Sequence, residues 1–238
     1  MSKAPQVHTA LLADGGSAVM DIRTRRGQWR HLNPTATLLW RQIADGTPLE
    51  QALGDLTEHL TAQGADRGTV RADLRALARQ LARTGLLTAR TSPPLPHQAL
   101  TVRQPLAAGT PLTAGSRLAA LLGVSVALIL LRCFPFRTAV GAARTLGRLP
   151  RRAATAEEAD ILFRTIRRTV RFWPGRAACL EESLAVHLTA VIHGMRVTWV
   201  LGARTAPAAA HAWVETAGIV IGQHPADRNW PYTPALKV

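Results

Sequence analysis

Two side chains in this sequence have the types and the setting for covalent chemistry, Cys179 and His211. Cys179 opens the run CLEESLAVHLTAVI. In it Leu180, Leu184, Leu188, Val191 and Ile192 recur at three- and four-residue steps, the mark of a helix. A cysteine at the start of a helix meets unpaired backbone N–H groups and the positive end of the dipole, which favour thiolate over thiol. Arg176, three residues earlier, adds positive charge. His211 lies 32 positions downstream, in the stretch His211-Ala212-Trp213-Val214-Glu215, which alternates with the two-residue period of a strand. A cysteine nucleophile needs an imidazole to take its proton and later return it to a leaving amine. A third polar group usually orients that imidazole, and Gln223, twelve residues past His211, is the candidate. Alone, the cysteine reads as a small buried hydrophobe and the histidine as an ordinary core or surface residue. Their order, helix-Cys then strand-His then strand-polar, is what makes the pair informative.

The surrounding elements must bring the two together. Gly194 ends the helix, and Val197, Trp199 and Leu201 alternate as a strand. A loop at Pro207 leads into the His211 strand, which turns at Ala217-Gly218 into Ile219-Val220-Ile221. A helix–strand–strand layout of this kind lays the second strand across the start of the helix. His187 and His193 share the helix at a six-residue offset and face different ways, so no metal cluster is predicted, and no glycine-rich phosphate loop occurs.

The segment resembles the transglutaminase-like (papain-like) cysteine peptidases of lasso-peptide maturation, the leader peptidases known as B proteins. The matching residues are Cys179-Leu180 with Ser183-Leu184, Gly194, Gly202-Ala203-Arg204, and Ala210 through Glu215. The resemblance implies Cys179 as nucleophile and His211 as general base and acid. It also exposes a departure, because that family usually has Asp on the strand after the histidine, where this chain has Gln223. Either the Gln223 carbonyl holds the imidazole tautomer without stabilising an imidazolium, or Asp227 reaches in, or the site is weakened. The first reading is preferred.

At 238 residues and 47% apolar content, the chain has room for two modest domains with real cores. Two cysteines, Cys133 and Cys179, imply no disulfide framework, and a cytoplasmic location is the default. The uncharged run Leu118 to Leu131 is too short to span a bilayer and reads as a buried helix, with no stable membrane insertion. Cys133, beside Pro135 and with no strand histidine after it, reads as structural. Net charge is +14, with twelve Lys/Arg against eight Asp/Glu in residues 1–90 and seventeen against seven in 91–238. Such a charge favours an acidic partner, although arginine-rich composition makes solvated surface the commoner meaning.

Residues 6 to 33 read as three short strands, with turns at Asp14-Gly15-Gly16 and Arg25-Arg26-Gly27. Three helices follow. The first is capped by Asn33 before Pro34; the second has Thr47 and Glu50 at capping-box spacing; the third spans Thr69 to Thr84 and carries Arg71, Arg75 and Arg79 on one face. Three strands and three helices with a basic last helix invite comparison with DNA-binding winged helices, but Asp66 and Asp73 interrupt the arginine row. Residues 6–88 instead resemble PqqD-like peptide-recognition elements, through Val19-Met20-Asp21, Trp29 to Asn33, and Thr37 to Trp40. That resemblance implies capture of a leader peptide as an added strand beside Gln28, Trp29, Arg30, His31 and Leu32, against the helix bearing Arg71, Arg75 and Arg79. The proline-rich stretch 91–115 reads as a linker, and Asn229 to Pro234 as a strap over the domain.

The fold class is therefore α+β: a winged-helix-like PqqD-type module over 1–90, a linker over 91–115, and a transglutaminase-like cysteine peptidase domain over 116–238. The expected activity is leader removal from a lasso precursor, needing no cofactor, with ATP dependence unread. The expected partners are the precursor and an asparagine-synthetase-like cyclase, not nucleic acid. A catalytically impaired peptide-binding scaffold and a DNA-binding regulator are the alternatives.

Overall fold

The computed structural model describes residues 6–89, 91–95, 101–102, 114–150, 152–171, 178–205, 207–222 and 232–238. Val7–Leu11 (β1), Ser17–Asp21 (β2) and Gln28–Leu32 (β3) form an antiparallel sheet in that order. Strand alternation gives this sheet two faces. The register Val7↔Asp21, Val19↔Arg30 and Ser17↔Leu32 puts Val7, Val19, Gln28, Arg30 and Leu32 on one of them. That face is covered by Pro34–Ala44 (α1), Leu49–Ala62 (α2) and Arg67–Arg83 (α3), through Leu39, Trp40, Leu53, Leu56, Leu74 and Leu81. Asn33 caps α1 as expected, its Oδ1 accepting from Ala36 N–H at 2.8 Å. The Thr47 capping box does not form; Pro48 occupies the N-cap of α2 with no side-chain hydrogen bond.

The other face of the small sheet packs on the second module. Ala10, Leu12 and Ala18 meet Ala203 and Ala235, while Met20 and Ile22 enter the larger core with Phe136. The Phe136 N–H donates to the Arg25 carbonyl at 2.8 Å. The stretch 91–115 is more than a spacer: Ser92 N–H donates to the Val7 carbonyl along the outer edge of β1, and Thr101–Val102 (β4) joins the second sheet.

The second module begins with Ala114–Cys133 (α4), Phe136–Leu146 (α5), Arg152–Ala153 (β5) and Ala156–Arg171 (α6). Thr155 and Glu158 cap α6 reciprocally, at 3.2 Å and 2.8 Å. Then come Cys179–Ile192 (α7), Met195–Arg196 (β6), Thr198–Arg204 (β7), Ala209–Thr216 (β8), Ile219–Ile221 (β9) and Thr233–Lys237 (β10). The main sheet runs β10-β7-β8-β9-β4, so the segment read as a strap ends instead as an edge strand paired with β7. Sequence underrates it because Pro234 and a register shift break its alternation.

Helix α7 is the centre of this module. Ser183 to Ala190 are all buried, against α4, α6 and the sheet. Small residues let α4 approach, and a Cβ on Gly123 would run into Thr189 Oγ1. The expectation that α4 is buried holds for one side only, since Leu118, Leu121, Leu122 and Ile129 are exposed. Cys133, expected to be structural, is exposed at its C-terminus, because the helix ends at the surface of the core.

Candidate active site

Cys179 is the first residue of α7, and three anchors fix that helix. The Trp199 indole donates to Ser183 Oγ at 2.9 Å in the core. The ring nitrogens of buried His187 face the Val197 carbonyl at 3.0 Å and the Ala143 carbonyl at 3.1 Å, bridging α7 to the residue before β7 and to α5. Burial holds this imidazole below its ordinary pKa, so it is a neutral strut that donates to one of the two. At the helix start, Glu181 Oε2 accepts from Ala178 N–H at 3.0 Å, and Glu182 pairs with Arg167 at 3.3 Å.

The half-buried sulfur of Cys179 is addressed by the backbone N–H groups of Ala212 and Leu180. Ala212 immediately follows His211, so folding carries the thiol 32 positions along the chain to the strand that bears the imidazole. Among the described residues, the pairing of β8 with β9 runs from Thr216↔Ile219 to Val214↔Ile221, two residues short of Ala212.

The expected thiolate is not what this setting favours. Burial is the largest influence and pushes the Cys179 pKa up; the carboxylates of Glu181 and Glu182 add to it, and the Ala212 and Leu180 N–H groups only partly oppose them. The residues that suit the helix dipole thus repel a charge on the sulfur they adjoin. Arg176, whose charge the sequence offered in compensation, lies outside the described residues.

His211 follows the alternation of β8. Ala212 and Val214 face α7 and share its core, whereas Trp213 and Glu215 face the other side of the sheet. The imidazole stacks on Trp213, centroids 5.9 Å apart and planes 16° from parallel, and lies 5.1 Å from the Tyr232 ring. Tyr232 itself lies under the Arg204 guanidinium at 4.8 Å. Gly202, opposite His211, leaves room for Trp213, whose ring a Cβ would strike. The carboxylate of Glu215, buried on this face, accepts from the Trp213 indole at 2.9 Å and from Lys237 Nζ at 2.7 Å. Tyr232 and Lys237 went unnoticed in the sequence because only the pairing of β10 brings them here. Gln223 and Asp227 both lie outside the described residues.

The leader-binding candidates divide between two faces. Gln28, Arg30 and Leu32 lie on the helix side of β3, with Arg30 Nη2 donating to Gln28 Oε1 at 2.8 Å. Trp29 and His31 lie on the opposite face, where Trp29 packs against the second module. Arg71, Arg75 and Arg79 are exposed on α3, and Arg75 is 3.9 Å from Glu50. Among the described residues β3 is the open edge of its sheet, since Ser92 bonds to the outer edge of β1.

Comparison with family models decides the architecture. Residues 16–87 match the model described as Coenzyme PQQ synthesis protein D (PqqD), and residues 120–237 match the Transglutaminase-like superfamily. The chain is a PqqD module joined to a transglutaminase-like module. This is the fused architecture of the lasso-peptide B proteins. The PqqD module supports recognition of a precursor peptide's leader, and the transglutaminase-like module has a cysteine-protease-like fold. No curated protein and no solved structure matches the chain.

Proposed function

We propose that this chain is the leader peptidase of a lasso-class pathway: the PqqD module holds the leader, and Cys179 cuts between leader and core. The observation that carries the reading is the Cys179 sulfur meeting the backbone N–H of Ala212, the residue next to His211. The leader pairs with the open edge of β3 as a fourth strand, and main-chain hydrogen bonds supply affinity. Gln28, Arg30 and Leu32 contribute from the strand, and Arg71, Arg75 and Arg79 attract leader carboxylates from α3. In the second module His211 turns about its side-chain bonds and takes the thiol proton as sulfur attacks the scissile carbonyl. Backbone N–H groups at the start of α7 receive the oxyanion. The imidazolium then protonates the leaving amine of the core, a thioester to the leader remains, and water hydrolyses it. A thiol held in its neutral form fits concerted deprotonation by the base better than a preformed ion pair. Gln223 orients the imidazole, and a separate asparagine-synthetase-like cyclase receives the freed core.

The test is a reconstituted reaction with a synthetic precursor. Cys179→Ala should abolish release of the core while leader binding, read by fluorescence anisotropy, stays within about twofold. Core release that survives this substitution would eliminate the peptidase reading and leave a peptide-binding scaffold. Salt-sensitive duplex binding by the chain, in place of leader binding, would favour the DNA-regulator reading.

A further inference from the structure

Helix α4 is apolar around its circumference, a pattern that suits burial on every side. Among the described residues, the helices that cover it are α5, α6 and α7 on one side. Leu118, Leu121, Leu122 and Ile129 remain 69%, 47%, 55% and 52% exposed, and Phe134, just past the helix, is 44% exposed. At 3.6 residues per turn, positions 118, 121, 122, 125 and 129 fall within an arc of about 100°. They make one continuous stripe whose only polar member is Ser125.

Along the chain, the charge on either side of this stripe has a single sign. From Asp73 to Glu157 the sequence has no acidic residue between them and carries twelve arginines. Arg117 stands at one end of the stripe, and Arg132 continues its arc past Ile129. Arg137 is exposed at the start of α5, and the exposed Arg25-Arg26 turn is tied to the same corner by the hydrogen bond from Phe136 N–H.

We propose that this face docks the protein on an anionic phospholipid surface, with α4 lying in the plane of the membrane. Leucine, isoleucine and phenylalanine side chains enter the boundary between headgroups and acyl chains, while arginines at both ends of the stripe bond lipid phosphates. The helix lies on the bilayer without crossing it; no helix among the described residues is long and apolar enough to span one. Lipid is favoured over a protein partner by the charge pattern. An exposed apolar stripe flanked along the chain by arginines complements a uniformly anionic, fluid surface without shaped pockets.

The experiment is co-sedimentation of the full chain with two kinds of vesicle, phosphatidylcholine alone and phosphatidylcholine mixed equally with phosphatidylglycerol. Binding is expected to the mixed vesicles only and to weaken as salt rises. The double substitution Leu122→Glu with Ile129→Glu, at exposed positions, should lower it at least about tenfold with the unfolding midpoint unchanged. A milder pair, Leu122→Ser with Ile129→Ser, should give an intermediate loss and guards against misfolding. The proposal is overturned if the wild-type chain ignores the mixed vesicles, if both double variants bind as well as wild type, or if the stripe instead mediates a complex with the purified cyclase that vesicles do not displace.

Discussion

Replacing Glu215 by alanine tests whether the scaffold behind His211 is as tightly tied as its hydrogen bonds indicate. The carboxylate is 5% exposed and accepts from the Trp213 indole on its own strand and from Lys237 on β10. Alanine removes the acceptor of a buried indole N–H, which costs about 1–3 kcal/mol. It also takes the carboxylate from Lys237, at a cost well below the roughly 3–5 kcal/mol of a fully buried pair, because that side chain is 24% exposed. Together the loss should be about 3 kcal/mol, a fall in Tm of roughly 10 °C for a chain of this size. Glu215→Gln keeps an acceptor for the indole and should lose about half as much. Thermal and urea unfolding measure stability, and core release from a synthetic precursor measures function. Because the His211 ring stacks on Trp213, the alanine variant should also cleave more slowly at temperatures where it is fully folded, and the glutamine variant much less so. A stability change under about 1 kcal/mol for Glu215→Ala would refute the reasoning, showing that water or another group replaces the carboxylate without cost.

Three further outcomes are expected. Burial and the neighbouring carboxylates raise the Cys179 pKa, so its alkylation by iodoacetamide should be slow at neutral pH and still accelerating at pH 9, whereas a preformed thiolate–imidazolium pair gives a rate flat from mildly acidic pH upward. His8 is buried against the second module, and desolvation, with Arg144 adding repulsion, lowers its pKa to about 4. Its neutral form is the folded form, so stability is full above the unfolded value of 6.5 and falls as pH drops toward 4, by up to roughly 3 kcal/mol; urea titrations at the two ends should show that loss reduced in His8→Gln. Gly123→Val forces a side chain into Thr189 at the α4–α7 crossing and should destabilise by about 1–3 kcal/mol, read from the urea midpoint.

Much of the architecture was legible because local chemistry and tertiary demand agree. Asn33-Pro34 starts α1, and the turn at Ala217-Gly218 joins β8 to β9. The failures share a cause. Thr47 had the spacing of a cap, but Pro48 took that position in the chain's path. Thr101–Val102 and Thr233–Lys237 are strands because partners already in the sheet accept them, and their own sequences, interrupted or short, show no strand period. Trp29 and His31 lie across β3 from Arg30, as strand alternation in the sequence required, and only the fold shows Trp29 packing on the second module.

Sequence alone determined the helix that begins at Cys179 and the strand that carries His211, since periodicity and glycine stops are properties of neighbours along the chain. It also fixed the order of the two modules. Only the tertiary structure decided that the sulfur reaches Ala212, that burial, with two glutamates, raises its pKa, and that Trp213, Tyr232 and Lys237 gather on the far face of β8. Desolvation and charge act through space, between residues whose distance along the chain says nothing about their distance in the fold.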